Sequence, residues 1–166
     1  MTADEVIDRL RLQPHPVEGG YFVETYRSDV ELPAEVLPAN PGARSLSTCI
    51  YFLLRQGTFS AMHRLPTDEI FHFYAGDPVE MLHLLPDGSG QTLMFGNDMA
   101  QGHVPQVVIP GGWWQGASLV EGGEFALFGT TMAPGFAYED YETGRRVVLA
   151  EQYPSYAKRV ADLTRD

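Results

Sequence analysis

Two residues, His63 and Glu69, carry the first chemical reading of this chain, because they flank the bend Leu65-Pro66-Thr67-Asp68 within the stretch from Gly57 to Asp77. Pro interrupts a strand ladder and Asp supplies turn chemistry, so the stretch reads as two short strands hinged at that bend. With alternating side chains, Phe59, Ala61, His63 and Leu65 share one face of the first strand, and Glu69, Phe71 and Phe73 share one face of the second. An imidazole that titrates near neutral pH then meets a carboxylate in a mostly apolar space, the equipment of a general base with a group to orient it. A buried carboxylate without a partner is costly, so Glu69 is expected to pair closely with His63 or with a metal. The plainer alternatives are a core histidine bonded to Glu69 as packing, and a Glu69 exposed at the turn beside Asp68.

Other side chains could support that pair. Gln115 is a fixed donor and acceptor for a polar substrate. Trp113 or Trp114 could stack on a ring, although tryptophan in a β-sheet wall more often serves the core. Phe59, Phe71 and Phe73 read equally as pocket lining or core, and Tyr21, Tyr51 and Tyr74 as hydroxyl donors. Strict alternation turns His72 away from Glu69, and Glu80, His83 and His103 read as ordinary strand and loop residues. The Ser and Cys residues lack a nucleophile elbow, no Gly-rich phosphate loop carries a Lys, and no Cys or His cluster has zinc-site spacing.

The positioning elements are strands. A helix is predicted from the Thr2 and Glu5 capping-box spacing to about Leu12, with Val6, Ile7 and Leu10 as its apolar stripe. Strands follow at Tyr21–Tyr26, Ser47–Leu54, Val79–Leu85, Gln91–Phe95, Gln106–Ile109, Trp114–Val120 and Glu124–Thr131, with a surface loop from Val30 to Ala43. Pro154 opens a C-terminal helix with Tyr156, Val160 and Leu163 on one face. Short strands with frequent turns, and helices only near the ends, predict an all-β sandwich or jelly-roll barrel.

The 166 residues, with one cysteine (Cys49) and a formal charge of −11 from 22 acidic and 11 basic residues, bound the rest. The length predicts a single domain, 1–166, with a core of its own. One cysteine forms no intramolecular disulfide, the start Met-Thr-Ala-Asp-Glu-Val lacks a basic then apolar leader, and no apolar run reaches membrane length, so the expectation is a soluble cytoplasmic protein. The acidic balance argues against nucleic acid or an anionic membrane as partner, and Arg27, Arg44 and Arg64 read as solvated arginines or, at most, a small anion pocket.

The spacing Gly57, His63, Leu65, Glu69, Gly76 resembles the first motif of the cupin superfamily, and Pro110-Gly111-Gly112-Trp113-Trp114-Gln115 is similar to the second. Leu65 and Gln115 stand where the motifs have His, Val104 where they have a leading Gly, and Leu119 where they have a closing Asn. Within that superfamily, three further segments resemble the family once listed as a domain of unknown function, DUF985. These are His15-Pro16 before Glu18-Gly19-Gly20, the run from Ser47 to Leu54 continuing through Pro78, and Ala133-Pro134-Gly135-Phe136.

The resemblance implies a cupin double-stranded β-helix with short N- and C-terminal helices, paired into a homodimer, with a pocket at the barrel mouth. It also implies a fold-level likeness to sugar-nucleotide epimerases and to ligand-binding plant cupins. With two of the four usual metal-holding residues replaced, no cofactor is expected, and a transition metal would need a borrowed ligand or water. The expected function is a small-molecule-binding cupin, a metal-independent epimerase or isomerase in which His63, held by Glu69, moves a proton on a sugar-like or carboxylate substrate. Gln115, Phe71, Phe73, Trp114, Phe59 and Tyr51 are its expected binding residues. The alternatives are a non-catalytic small-ligand module and a metal-dependent cupin enzyme.

Overall fold

A computed structural model describes residues 1–37 and 42–165. In chain order the elements are α1 (Ala3–Leu10), β1 (Gln13–Pro14), β2 (Tyr21–Arg27), β3 (Glu31–Leu32), β4 (Arg44–Ser45), β5 (Thr48–Arg55), β6 (Phe59–Arg64) and β7 (Glu69–Gly76). They continue with β8 (Val79–Leu84), β9 (Gly90–Phe95), β10 (Gln106–Ile109), β11 (Trp114–Leu119), β12 (Phe125–Met132), β13 (Glu142–Thr143), α2 (Arg146–Gln152) and α3 (Ala157–Asp162). The Val30–Ala43 loop contains β3 and a short 3₁₀ turn at Ala34–Val36; its part at 38–41 lies outside the described residues.

Two sheets face each other, one in the order β1-β2-β5-β12-β7-β10 and one in the order β13-β6-β11-β8-β9. All pairings within them are antiparallel, which is the jelly-roll arrangement. Phe52, Phe71, Phe73, Phe95 and Phe128 fill the space between the sheets with Val79, Met81 and Ile109. Phe73 meets Phe95 edge-on, 5.3 Å between ring centroids, the geometry that a ring quadrupole favours.

The helices cover outer faces. Thr2 and Glu5 close the capping box in both directions, and α1 stops at Arg11, whose left-handed φ of 56° ends the helix just short of Leu12. Val6 and Leu12 pack on Leu53 behind the six-stranded sheet. Behind the other sheet, Leu149, Tyr153, Val160 and Leu163 cover Met62, Leu82, Leu84 and Trp114. Tyr156, Val160 and Leu163 share a face as their spacing predicted. Pro154 opens a 3₁₀ turn that runs directly into α3, and α2 precedes it.

The hinge joins the two sheets. β6 belongs to the five-stranded sheet and β7 to the six-stranded one, so His63 and Glu69 face each other across the sandwich rather than along one ladder. The bend is clamped by the Pro110-Gly111-Gly112 turn, where Gly112 N–H donates to the Leu65 carbonyl at 2.7 Å and Gly111 N–H to Asp68 Oδ1 at 2.9 Å. Gly111 is required here because a Cβ would fall 2.3 Å from the Pro66 carbonyl oxygen.

Strict alternation fails on β6. Its register against β11 runs from Gln115↔His63 to Ala117↔Ser60, so two residues, Ala61 and Met62, oppose Gly116 alone. This bulge reverses the facing of the strand's start. Phe59 packs against the α2–α3 cluster, whereas Ser60 and His63 turn inward, correcting the expectation that Phe59 shares the face of His63.

Candidate active site

At one end of the sandwich lies a cavity of ≈ 120 Å³. His63 and Leu65 form part of its wall from β6, Glu69 from β7, Ile50 from β5, and Thr130 and Met132 from β12. Phe22, Glu24 and Arg27 of β2 close one side, and Phe136, Tyr138 and Tyr141, after β12, close another.

The loop before β2 adds His15 and Glu18. His15 Nδ1 accepts the backbone N–H of Glu18 at 2.9 Å, so its ring proton sits on Nε2 in the neutral form. Gly19 and Gly20 have φ of 100° and 68°, and a Cβ on Gly19 would fall 2.6 Å from the Phe59 carbonyl oxygen. That approach lets Ala61 N–H reach the Glu18 carbonyl at 3.0 Å and the Ser60 hydroxyl donate to the Glu18 carboxyl. Burial lowers the His15 pKa to about 4, assisted by His63 and Arg165. Burial also raises that of Glu18 to about 7 against the opposing pull of Ser60 and Arg165.

His63 is 2% exposed and hydrogen-bonded through Nδ1 to the Ala61 carbonyl at 2.7 Å. A carbonyl only accepts, so Nδ1 carries the proton and Nε2 presents a lone pair. Burial lowers the His63 pKa against the raising effects of Glu69 and the Ala61 carbonyl, which keeps that lone pair available at neutral pH. The ring lies parallel to Tyr141, with centroids 4.8 Å apart. The Tyr141 hydroxyl is buried without a hydrogen-bond partner among the described residues, and burial raises its pKa, so it remains a proton donor.

Glu69 is buried, and its Oε2 accepts from Gln115 Nε2 at 2.7 Å. Burial raises its pKa, His63 lowers it, Glu18 raises it further, and hydrogen bonds from Thr130 and Gln115 oppose the rise. The close pairing expected between Glu69 and His63 is electrostatic only: Ala61 and Tyr141 hold the imidazole, and Gln115 and Thr130 hold the carboxyl. At the cupin metal positions the donors amount to one imidazole, one carboxyl and the weak amide oxygen of Gln115, whose nitrogen donates to Glu69, since Leu65 is apolar. Among the described residues no group of three or more His, Cys, Asp or Glu is placed to hold a metal ion. That set, with a neutral amide oxygen as its third member, is a poor match to a centre that collects three or four strong N, S or O donors.

The remaining expected binding residues lie elsewhere. Gln115 contacts Glu69 but does not line the cavity. Phe71 and Phe73 belong to the central core. Trp114 faces α2 and α3 with the Arg64 guanidinium 4.5 Å over its ring, because β11 alternates and Gln115 takes the inward position. Tyr51 lies on the outer face against Tyr74, since Phe52 and Ile50 point inward on β5. His72 turns outward to Gln106 and Thr131, as alternation requires. Sequence reasoning did not single out His15, Glu18, Tyr138 or Tyr141. His15 and Glu18 sat inside a recognised block, and their role depends on a loop crossing to β6.

The sequence matches the family described as Cupin superfamily (DUF985) over residues 4–144. The chain belongs to this cupin family. The uncharacterized protein YML079W of Saccharomyces cerevisiae is 32% identical over 134 residues, which span 75% of this chain and 66% of that protein. Protein SO0799 from Shewanella oneidensis has a similar structure, with a TM-score of 0.88 and 36% identity over 99% of this cupin and 98% of that chain. A hypothetical protein from Leishmania major gives a TM-score of 0.89 and 30% identity over the full length of both chains. Among the described residues of this cupin, no helix is long and apolar enough to cross a membrane.

Proposed function

We propose that this cupin binds a small carbonyl compound and moves a proton at the carbon next to the carbonyl, as an isomerase or epimerase does. The observation that carries this reading is the His63 imidazole: buried, fixed through Nδ1–H to Ala61, lining the cavity, and with no hydrogen bond from Nε2 among the described residues. Nε2 takes the proton, the C–H electron pair moves toward the carbonyl oxygen, and the Tyr141 hydroxyl donates a hydrogen bond to the oxyanion that forms. Return of the proton from the imidazolium to the neighbouring carbon, as the substrate's hydroxyl proton passes to the oxyanion, completes an isomerisation. Its return to the first carbon after the enol turns over in the cavity completes an epimerisation. Glu69 stabilises the transient imidazolium at a distance and acts as a positioning residue. The cavity suits a small reacting group: at ≈ 120 Å³ it is comparable to an engineered cavity of about 150 Å³ that takes benzene.

Exchange in heavy water tests the reading without an identified substrate. Hydroxyacetone, acetoin and aminoacetone are incubated with the protein, and loss of the α-proton signal is followed by NMR. Exchange above the buffer rate is expected, falling by about 10²-fold or more in His63→Asn. No exchange with any of the three, or an unchanged rate in the variant, removes the proposal. In that outcome a binding module is favoured, on the strength of the apolar wall formed by Phe22, Ile50, Leu65, Met132 and Phe136.

A further inference from the structure

We propose that the cavity is built for a small molecule carrying a protonated amine, whose charge is read by Glu18 and Glu69; this rests on the cavity being the site of proton transfer and names the class of its substrate. The carboxyl, imidazole and guanidinium groups in the wall are His15, Glu18, Glu24, Arg27, His63 and Glu69. The one guanidinium is already matched, because Arg27 donates to both oxygens of Glu24 at 2.9 and 2.7 Å and to the Phe136 carbonyl at 3.2 Å. Glu18 and Glu69 are left without a cation in the wall. Their hydrogen bonds come from neutral groups, the Ser60 hydroxyl for Glu18 and the Gln115 amide and Thr130 hydroxyl for Glu69. Arg165 acts on Glu18 from outside, with its guanidinium committed to the carbonyls of Val17, Glu18 and Phe59.

Two carboxyl groups in a site that desolvates both, with Glu18 raising the protonation of Glu69, form a poor receptor for an anion and a good one for a cation. An ammonium supplies a counter-charge in direct contact, since among the described residues neither Glu18 nor Glu69 is in an ion pair and Arg165 and His63 act on them only through space. The rings of Phe22, Phe136, Tyr138 and Tyr141 line the same space, and an aromatic ring attracts a cation held over its face. His63, buried as a residue and with no hydrogen bond from Nε2 among the described residues, marks the same space as a place where a ligand atom belongs. An ammonium held there also acidifies a neighbouring C–H bond, which suits a modest base.

The test uses three inert probes of one shape, isobutylamine, isobutanol and isobutyrate, titrated into the full chain at pH 7.5 and followed by calorimetry and ligand-observed NMR. The amine is expected to bind at least about tenfold more tightly than the alcohol, with the carboxylate weakest of all. Glu18→Gln and Glu69→Gln are each expected to weaken amine binding about tenfold and to leave the alcohol unchanged, and thermal melts of both variants confirm that they fold. Carboxylate binding equal to that of the amine, three equal affinities, no binding at all, or amine binding that survives both substitutions overturns the assignment. The comparison of the three probes on the unsubstituted protein stands whether or not the variants fold. His63→Asn separates this inference from the catalytic one, because it should abolish proton exchange yet keep the amine. Exchange of hydroxyacetone without amine binding removes only the charge assignment; amine binding without exchange removes only the proton transfer.

Discussion

The rings of His63 and Tyr141 lie face to face, 4.8 Å between centroids and 13° from parallel, so the base and the unpartnered hydroxyl share one wall of the cavity. Tyr141→Phe keeps the ring and its stacking and removes only the hydroxyl. A buried hydroxyl without a partner does not stabilise the fold, so stability is expected to stay level or rise by about 1 kcal/mol in urea unfolding. Proton exchange is expected to fall by about 10²-fold, the usual loss when an oxyanion donor is removed. Unchanged exchange would leave Tyr141 as a packing residue.

How much was legible in the sequence follows from which interactions are local. Alternation and turn chemistry placed His63 and Glu69 in one cavity, because a bent hairpin is specified by a dozen adjacent residues. The same alternation misplaced Phe59, since the bulge opposite Gly116 depends on a second strand far away in the chain. Phe71 and Phe73 were inward as expected, but the depth of the aromatic cluster separates core from cavity wall, and depth has no periodic signature. Tyr141 was missed for the same reason: it comes from a short irregular segment held over the cavity by tertiary contacts alone.

His83 is buried on β8, and neither of its ring nitrogens has a hydrogen-bond partner among the described residues. Burial holds its pKa down to about 4 from an ordinary 6.5. Because the unfolded chain then binds the proton more readily than the folded one, the neutral ring costs the fold stability as pH drops from 6.5 toward 4. His83→Leu is expected to gain about 1 kcal/mol at pH 7 and about 2 kcal/mol more at pH 5. Urea midpoints at the two values read the difference, and an equal gain at both would show that the ring does not take up a proton on unfolding.

Glu18 has the opposite sign. Burial raises its pKa from 4.5 to about 7, so the folded state keeps a proton that the unfolded chain releases. Its contribution to stability is fully present below pH 4.5 and is lost as pH rises through about 7, and the buried Glu69 shifts in the same direction. Glu18→Gln retains the shape and cannot ionise. Relative to the unsubstituted protein, it is expected to gain about 2 kcal/mol between pH 5 and pH 8 in paired unfolding curves. A constant difference across that range would mean that Glu18 is ionised in both states.

The outer face of the six-stranded sheet is only partly covered. α1 sits over Leu53, while Tyr74, against Tyr51, is exposed, as are Tyr26 and Val108 elsewhere on the sheet. A homodimer across this face is expected, detectable as twice the chain mass in sedimentation at micromolar concentration. Tyr74→Lys is expected to shift the population toward monomer; a monomer before substitution would end the expectation.

Arg44 ties down the segment that carries Tyr138 and Tyr141. Its side chain is 4% exposed, and it donates to both Asp140 oxygens at 2.8 and 2.7 Å, with the Asp140 side chain equally buried. Glu139, largely exposed, lies 3.3 Å away. Asp140→Asn leaves a buried guanidinium without its main counter-charge and is expected to cost about 3 kcal/mol, at the low end for a broken buried pair because Glu139 remains. Exchange activity should fall with it, since Tyr141 lies one residue from the anchor. Replacing both partners, Arg44→Met with Asp140→Leu, removes the unpaired charge as well as the attraction, so most of the stability should return. If the double variant also regains exchange, the ion pair serves only to hold the segment in place. If it refolds fully but stays inactive, the orientation that the bidentate pair imposes on Tyr141 is itself required for proton transfer.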